Sequence, residues 1–262
     1  MKLKLEHLLA SALLAVSAMG ASFSANALLF GYYLSDASDN PAGAIAAAGH
    51  TSVQLSGLGA GDLAGIDVLW ILNGNNGSPD AQVTGNTAAI SAFVNAGGVL
   101  SFHDRNVNQG LSASTYIPGA AGVGFVNTFS IAIDVLVNNT VTNGPAGTID
   151  NGTLDNGNFS NHGFADAATL PGGAVSVLSN ENADQIVDFF YSLGSGDVYY
   201  SSIPLDFYLG GGSNFASIYA VNEAAFQAEL RAANGAQVPL PATGLLVALG
   251  LGMIGFVRRR AA

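Results

Sequence analysis

Asp67-Val68-Leu69-Trp70-Ile71-Leu72-Asn73 is a near-continuous apolar run between polar residues, and it decides the fold. A strand that is apolar on both faces has both faces covered, as central strands of parallel sheets do. Thr87 to Ala96 follows, with Ile90, Phe93 and Val94 at i, i+3 and i+4 on one helical face. Gly97 stands where that helix should end in the left-handed region. Gly98-Val99-Leu100-Ser101-Phe102-His103 then reads as a second buried strand. Strand, helix, strand with short links is the crossover unit of a parallel sheet.

Upstream, Leu28 to Leu34 reads as a strand, Asp39 to Gly49 as an alanine-rich helix, and Thr51 to Leu55 as a further strand. Downstream the pattern changes. Phe129 to Val137 reads as one strand, and Asn138 to Phe164 as a long polar loop rich in Asn, Gly and Asp. Ala174 to Leu178 is a short strand. Ile186 to Leu193 and Asp197 to Ile203 form a hairpin around a three-residue turn, Gly194-Ser195-Gly196. Asn222 is placed to cap a last helix running through Ala233. The expected fold class is α/β, a mostly parallel sheet flanked by helices with a hairpin-rich second half.

The two ends carry different information. Lys2 and Lys4, the apolar run Leu8 to Met19, and the small residues Ala25 and Ala27 make a secretory signal, cut by signal peptidase after residue 27. At the other end Val238-Pro239-Leu240-Pro241-Ala242 precedes an apolar run, Gly244 to Val257, and then Arg258, Arg259 and Arg260. As a helix that run is about 21 Å long, short of the ~30 Å hydrocarbon core. It reads as a short transmembrane helix in the inner membrane, with the arginines as a cytoplasmic stop. The expected organisation is a signal peptide over 1–27, an exported body over 28–236 and a sorting and anchor tail over 237–262.

The tail resembles the PEP-CTERM sorting signals, in the spelling VPLPA. That resemblance implies an exosortase-type membrane protease as partner, an envelope or extracellular-matrix location, and a setting of exopolysaccharide and biofilm. Leu240-Pro241-Ala242-Thr243-Gly244 also spells a sortase motif, so a sortase-anchored wall protein is the alternative. The body carries a second resemblance. Trp70 to Gly74, the helix after it, and Phe93 to Asp104 look like the class I glutamine amidotransferase-like, flavodoxin-like architecture, and the hairpin Ser192 to Ser202 is similar to a late hairpin of that group. Such amidotransferases use a cysteine nucleophile, and this chain has none. The resemblance therefore implies the fold without the activity.

Charge narrows the partners. Without Glu6, Lys2, Lys4 and the three tail arginines, the body keeps seventeen acids against Arg105 and Arg231, near −15, with no lysine. Nothing in it would neutralise phosphates, which excludes nucleic acid as a partner. With no cysteine, its stability comes from an ordinary core.

Candidate ligand-binding residues group where the second central strand ends, the edge at which α/β sheets hold ligands. His103, Asp104 and Arg105 bring together an imidazole, a carboxylate and one of the body's two cations, and His162 is the second histidine placed near them. A turn fixed by its own polar contacts is the competing reading. Ser101 is set aside as a nucleophile because strand neighbours face opposite ways. Asp150 and Asp155, in an oxygen-rich run, are candidate calcium ligands, although the run lacks EF-hand spacing. No other cofactor is expected. The functional expectation is a non-catalytic surface or matrix protein binding a glycan or a protein, with a hydrolase at the His103-Asp104 corner as the alternative.

Overall fold

The computed structural model describes residues 27–156 and 159–236. The secretory signal and the sorting tail with its apolar run lie outside the described residues. Among the described residues no helix is long and apolar enough to cross a membrane.

In chain order the first half is β1 (Leu29–Ser35), α1 (Ala42–Ala47), β2 (Thr51–Gln54), β3 (Val68–Asn73), α2 (Ala81–Gly85), α3 (Thr87–Asn95) and β4 (Val99–Asp104). The second half is β5 (Phe125–Ser130), β6 (Asp134–Val135), β7 (Asn143–Gly144), β8 (Gly147–Thr148), β9 (Asn161–Asp166), β10 (Val175–Ser179), β11 (Gln185–Leu193), β12 (Gly196–Ser201), α4 (Leu205–Tyr208) and α5 (Ala220–Ala236). The chain is mixed α/β with a mostly parallel central sheet. Its centre runs β2-β1-β3-β4-β12, all parallel. This order reverses direction between β1 and β3, as doubly wound sheets do. Antiparallel β11, β10 and β6 extend it, and β9 with β5 pairs onto the start of β11.

Sequence explains the central layer directly. Every residue of β3, β4 and β12 is buried, because helices cover both faces. Trp70, Tyr199 and Tyr219 pack with Ile45 of α1 and Phe226 of α5 on one face. Leu69, Ile71 and Tyr200 pack with Val83 of α2 and Ile90 and Val94 of α3 on the other. Gly97 does end α3 left-handed, at φ 105°. Asp80, unremarked in the sequence, caps α2 by accepting from the backbone N–H groups of Gln82 and Val83.

The second half departs from expectation in four places. Phe129 to Val137 is two short strands, β5 and β6, that pair with different partners. The polar stretch 138–164 holds the β7–β8 hairpin and the start of β9. Leu193 pairs with Gly196, so the late hairpin turns on Gly194-Ser195 alone, with Gly194 at φ 65°. Asn222 is no cap. It sits fully buried inside α5, where its carboxamide accepts from Ala146 N–H and donates to the Val141 and Gly147 carbonyls. An Asn with three internal partners serves the hairpin beside it better than a helix end.

Helix α5 also sets the orientation of the chain. Glu223 in its first turn reaches Ser101 and His103 near the end of β4. Arg231 pairs with Asp67, just before β3, and Asn234 donates to Asp197 at the start of β12. The helix thus runs from the C-terminal edge of the parallel strands to their N-terminal edge. Its last residue, Ala236, immediately precedes the tail.

Candidate functional site

Residues 103 to 105 leave β4 in three directions. The pleat sends Ser101 and His103 under α5 and Asp104 to the opposite face. The expected pairing of His103 with Asp104 is therefore corrected: one sheet separates them. Ser101 shares the face of His103, since two residues along a strand restore the same side. Its Oγ lies 3.4 Å from His103 Nε2.

Beneath α5, a single carboxylate oxygen gathers three donors. Glu223 Oε1 accepts from Ser101 Oγ at 2.6 Å and from Gln227 Nε2 at 2.5 Å, and lies 3.1 Å from His103 Nε2. Gln227 in turn accepts from the Trp70 indole N–H. Beside this group, Asp188 Oδ2 accepts from Tyr199 at 2.8 Å and from Tyr219 at 2.6 Å. Burial raises the Asp188 carboxyl to about 6, against the stabilising hydroxyls of Ser201 and Tyr219. Serine, histidine and glutamate are all present, but they do not form a relay. Serine and glutamate both meet the same imidazole nitrogen, and Nδ1 has no partner among the described residues. A relay uses the two nitrogens for different partners. Ser101, His103 and Glu223 are each at most 1 % exposed, sealed beneath α5.

On the other face Asp104 accepts from Asn73 Nδ2, Asn106 N–H, Tyr116 OH and Tyr200 OH, at 3.0 to 3.3 Å. Burial pushes its carboxyl up, opposed by those donors. Four partners and no exposure make it the clasp of the strand end.

Arg105 alone of the three turns outward. Its Nη1 donates to Asp206 at 3.2 Å and to the Gly74 carbonyl, and its guanidinium lies 5.6 Å from the centre of the Phe207 ring. Burial raises the Asp206 carboxyl, while the Arg105 charge pulls it back. The Arg105 carbonyl meets His162 Nδ1 at 3.1 Å. Burial lowers the His162 imidazole to about 4, helped by the Arg105 charge. Gly163, the next residue, lets β9 lie close against β5 and Val107, since a Cβ there would stand 2.3 Å from the Val126 carbonyl.

These contacts close into a ring. Phe129 lies edge-on to His162 at 4.7 Å and 5.0 Å from Phe159. The Phe159 carbonyl accepts from Tyr208 OH at 3.0 Å, and Tyr208 packs on Phe207, which lies beneath the guanidinium of Arg105. Phe129, Phe159 and Phe207 are each 45 to 49 % exposed. Phe159 holds φ +64°, a conformation bulky residues rarely adopt.

Of the residues proposed from sequence, Arg105 and His162 meet in this ring, His103 and Asp104 are buried on opposite faces, and Asp150 and Asp155 lie elsewhere. Both of the latter are exposed, Asp150 turned toward Thr153 in its own loop and Asp155 accepting from Ile133 N–H, ahead of β6, at 2.9 Å. Among the described residues no three His, Cys, Asp or Glu side chains gather as a metal would need. Sequence reading missed Glu223 and Gln227, although they share the helical face of Phe226 and Leu230. It also missed the three phenylalanines, which nothing in a single sequence brings together.

Comparison with known proteins adds one motif and one fold. The PEP-CTERM protein-sorting motif matches residues 237–261, which marks an exported, envelope-associated protein processed by an exosortase-type enzyme. Among curated protein sequences none matches the chain. The body is similar to the cytoplasmic protein STM1381 of Salmonella typhimurium LT2, with a TM-score of 0.54 at 9 % identity over 78 % of this chain and 99 % of that one. It is also similar to the mmIFT52 N-terminal domain, at 0.51 and 14 % over 78 % and 97 %. A second Salmonella typhimurium cytoplasmic protein, STM3548, gives 0.50 and 12 % over 76 % and 98 %. At such identities the likeness concerns the fold alone. The amidotransferase-like resemblance is not shown by these comparisons.

Proposed function

We propose that the exported body is a non-catalytic surface or matrix protein that captures a partner at the C-terminal edge of its parallel strands. The observation that carries this reading is the placement of the two ends of α5. Its start lies under the edge that bears the aromatic ring, and its last residue abuts the sorting motif at the opposite edge. A body tethered through 237–261 would hold the ring outward. The sealed Ser101, His103 and Glu223 argue against a hydrolase at this edge, because a nucleophile must meet its substrate. The strand order is compatible with an amidotransferase-like fold, and the chain has no cysteine to serve as the nucleophile such enzymes use.

The test is removal of Val238 to Ala262, which should release a folded body from the envelope. Pro239→Ala with Pro241→Ala should leave full-length protein in the membrane fraction. A truncated body that is unfolded, or a double variant processed like wild type, would overturn the tether. Turnover of an ester, glycoside or glutamine substrate that His103→Ala abolishes would overturn the non-catalytic reading.

A further inference from the structure

We infer that the ring of Arg105, Phe129, Phe159, His162, Phe207 and Tyr208 is a platform for a neutral polysaccharide chain. This names the ligand class for the edge proposed above and rests on that reading. His162 and Tyr208 are buried and form the base, at 6 % and 4 % exposure. The three phenylalanines and the outward face of Arg105 form the top.

Two independent features show that these rings are held in water at a cost. Each half-exposed phenylalanine forgoes part of the stabilisation that full burial would give. Phe159 adds the strain of a bulky residue held in the left-handed region. Burial does not offset that strain, since the ring is 47 % exposed. The contacts that hold the conformation are the Tyr208 hydroxyl on its carbonyl and the Phe129 ring beside it. The loop after Arg105 is strained as well, with Val107 at φ 36° and Asn108 at φ 74°. Asn127 fixes this loop to β9 by donating to both the Asn106 and His162 carbonyls. Strain concentrated beside exposed apolar rings at the ligand edge of an α/β sheet is the mark of a binding surface.

Charge and size select the occupant. A body near −15 repels polyanions and anionic lipid surfaces. The site's one cation is already paired with Asp206. A stable protein interface takes about 20–30 residues a side, far more than this ring. A sugar chain needs less. The C–H face of a pyranose lies against the negative face of an aromatic ring. Its hydroxyls need donors beside the rings, and Arg105, whose guanidinium lies over Phe207, offers one: Nη1 is engaged with Asp206 and Gly74, while Nη2 makes no hydrogen bond to a described residue.

Native gel electrophoresis of the full chain in detergent tests this, with hydroxyethylcellulose, mannan or alginate cast in the gel. Wild type should be retarded by at least one of the two neutral polymers and not by the polyanion alginate. Phe129→Ala, Phe159→Ala and Phe207→Ala should each weaken retardation at least tenfold, with circular dichroism melts confirming the fold. Val175→Ala, exposed on β10, should change nothing. Should one ring variant unfold, the other two decide. No retardation by either neutral polymer, retardation unchanged in the folded ring variants, or equal retardation by alginate would overturn the platform. So would a ring-dependent protein partner captured without sugar. Surface labelling of cells separates the two readings: glucan binding by a protein that never reaches the surface would sink the display role and keep the platform.

Discussion

Consecutive residues of one strand end, His103 and Arg105 with Asp104 between them, feed two regions built on opposite principles. The group around Glu223 is dry, crowded with hydroxyls and amides, and closed by α5. The ring around Arg105 is half-wet and aromatic, and its backbone is strained. Polar side chains are thus sealed beneath α5, and apolar rings stand exposed at the strand edge. The contrast teaches that catalytic-looking residue types do not define a site. Access does.

The largest effect expected from this contrast is in Glu223→Ala. It strips Ser101, His103 and Gln227 of their shared acceptor in a dry site, at a cost of about 3 kcal/mol or more. Phe207→Ala, on the exposed ring, should stay within ~0.5 kcal/mol. Urea unfolding of both variants checks the pair. Comparable losses would mean that the ring is part of the core and that the division between the regions is false.

Asp104→Asn should come next, at about 1–3 kcal/mol, because one carboxamide oxygen cannot replace a carboxylate that accepts from four donors. Retardation by the neutral polymer should not change in this variant once it is folded. A variant that melts like wild type but loses binding would place Asp104 in the binding surface and merge the two regions.

Much of this fold was legible because burial leaves a mark in a single sequence. A strand covered on both faces is largely apolar, so Val68–Asn73, and Val99, Leu100 and Phe102 of Val99–Asp104, announced the parallel centre. Strands β5, β6 and β9 carried no such mark. The end of β5 and β6, short and half-exposed, read as one continuous strand, and β9, though mostly buried, carries Asn161 and Gly163 and reads as loop. The site was legible only to the extent of its address. The end of β4 was the right edge, and period two alone could have put Ser101 with His103. Glu223 approaches from 120 residues away. The aromatic ring draws on β5, the segment before β9, and α4, a convergence that only the folded chain displays.

The pH response should separate the regions by sign. His162 is held near 4, below its ordinary 6.5, so its contribution is full above about pH 6.5 and is lost as pH falls through about 4. Asp188 is raised to about 6, so its contribution is full below about 3.8 and is lost as pH rises through 6. The advantage of wild type over His162→Asn should therefore shrink by about 2 kcal/mol between pH 7.5 and 4.5. Asp188→Asn should behave oppositely: relative to wild type it should fare better at pH 7.5 and lose about 2 kcal/mol of that benefit by pH 4.5. Unfolding curves at the two pH values measure both. If both differences move in the same direction, one of the two environments is misassigned.

The smallest effect on stability, and the sharpest test of the comparison, belongs to Phe159→Asn. Asn enters the left-handed region more readily than Phe, because its short side chain bonds locally, so the substitution relieves about 1 kcal/mol of strain. It also removes the contact with Phe129 and whatever apolar area that ring covers. The two contributions oppose each other, and the net change should lie within ~0.5 kcal/mol of wild type. The Tyr208 hydroxyl still has the backbone carbonyl of residue 159 to meet, so the ring's base should stand. Binding should respond differently, since the face offered to the sugar is gone: retardation should drop at least tenfold at unchanged stability. A residue kept for folding would show the reverse, with a lowered melting temperature and unaltered retardation, and that result would return Phe159 to the scaffold.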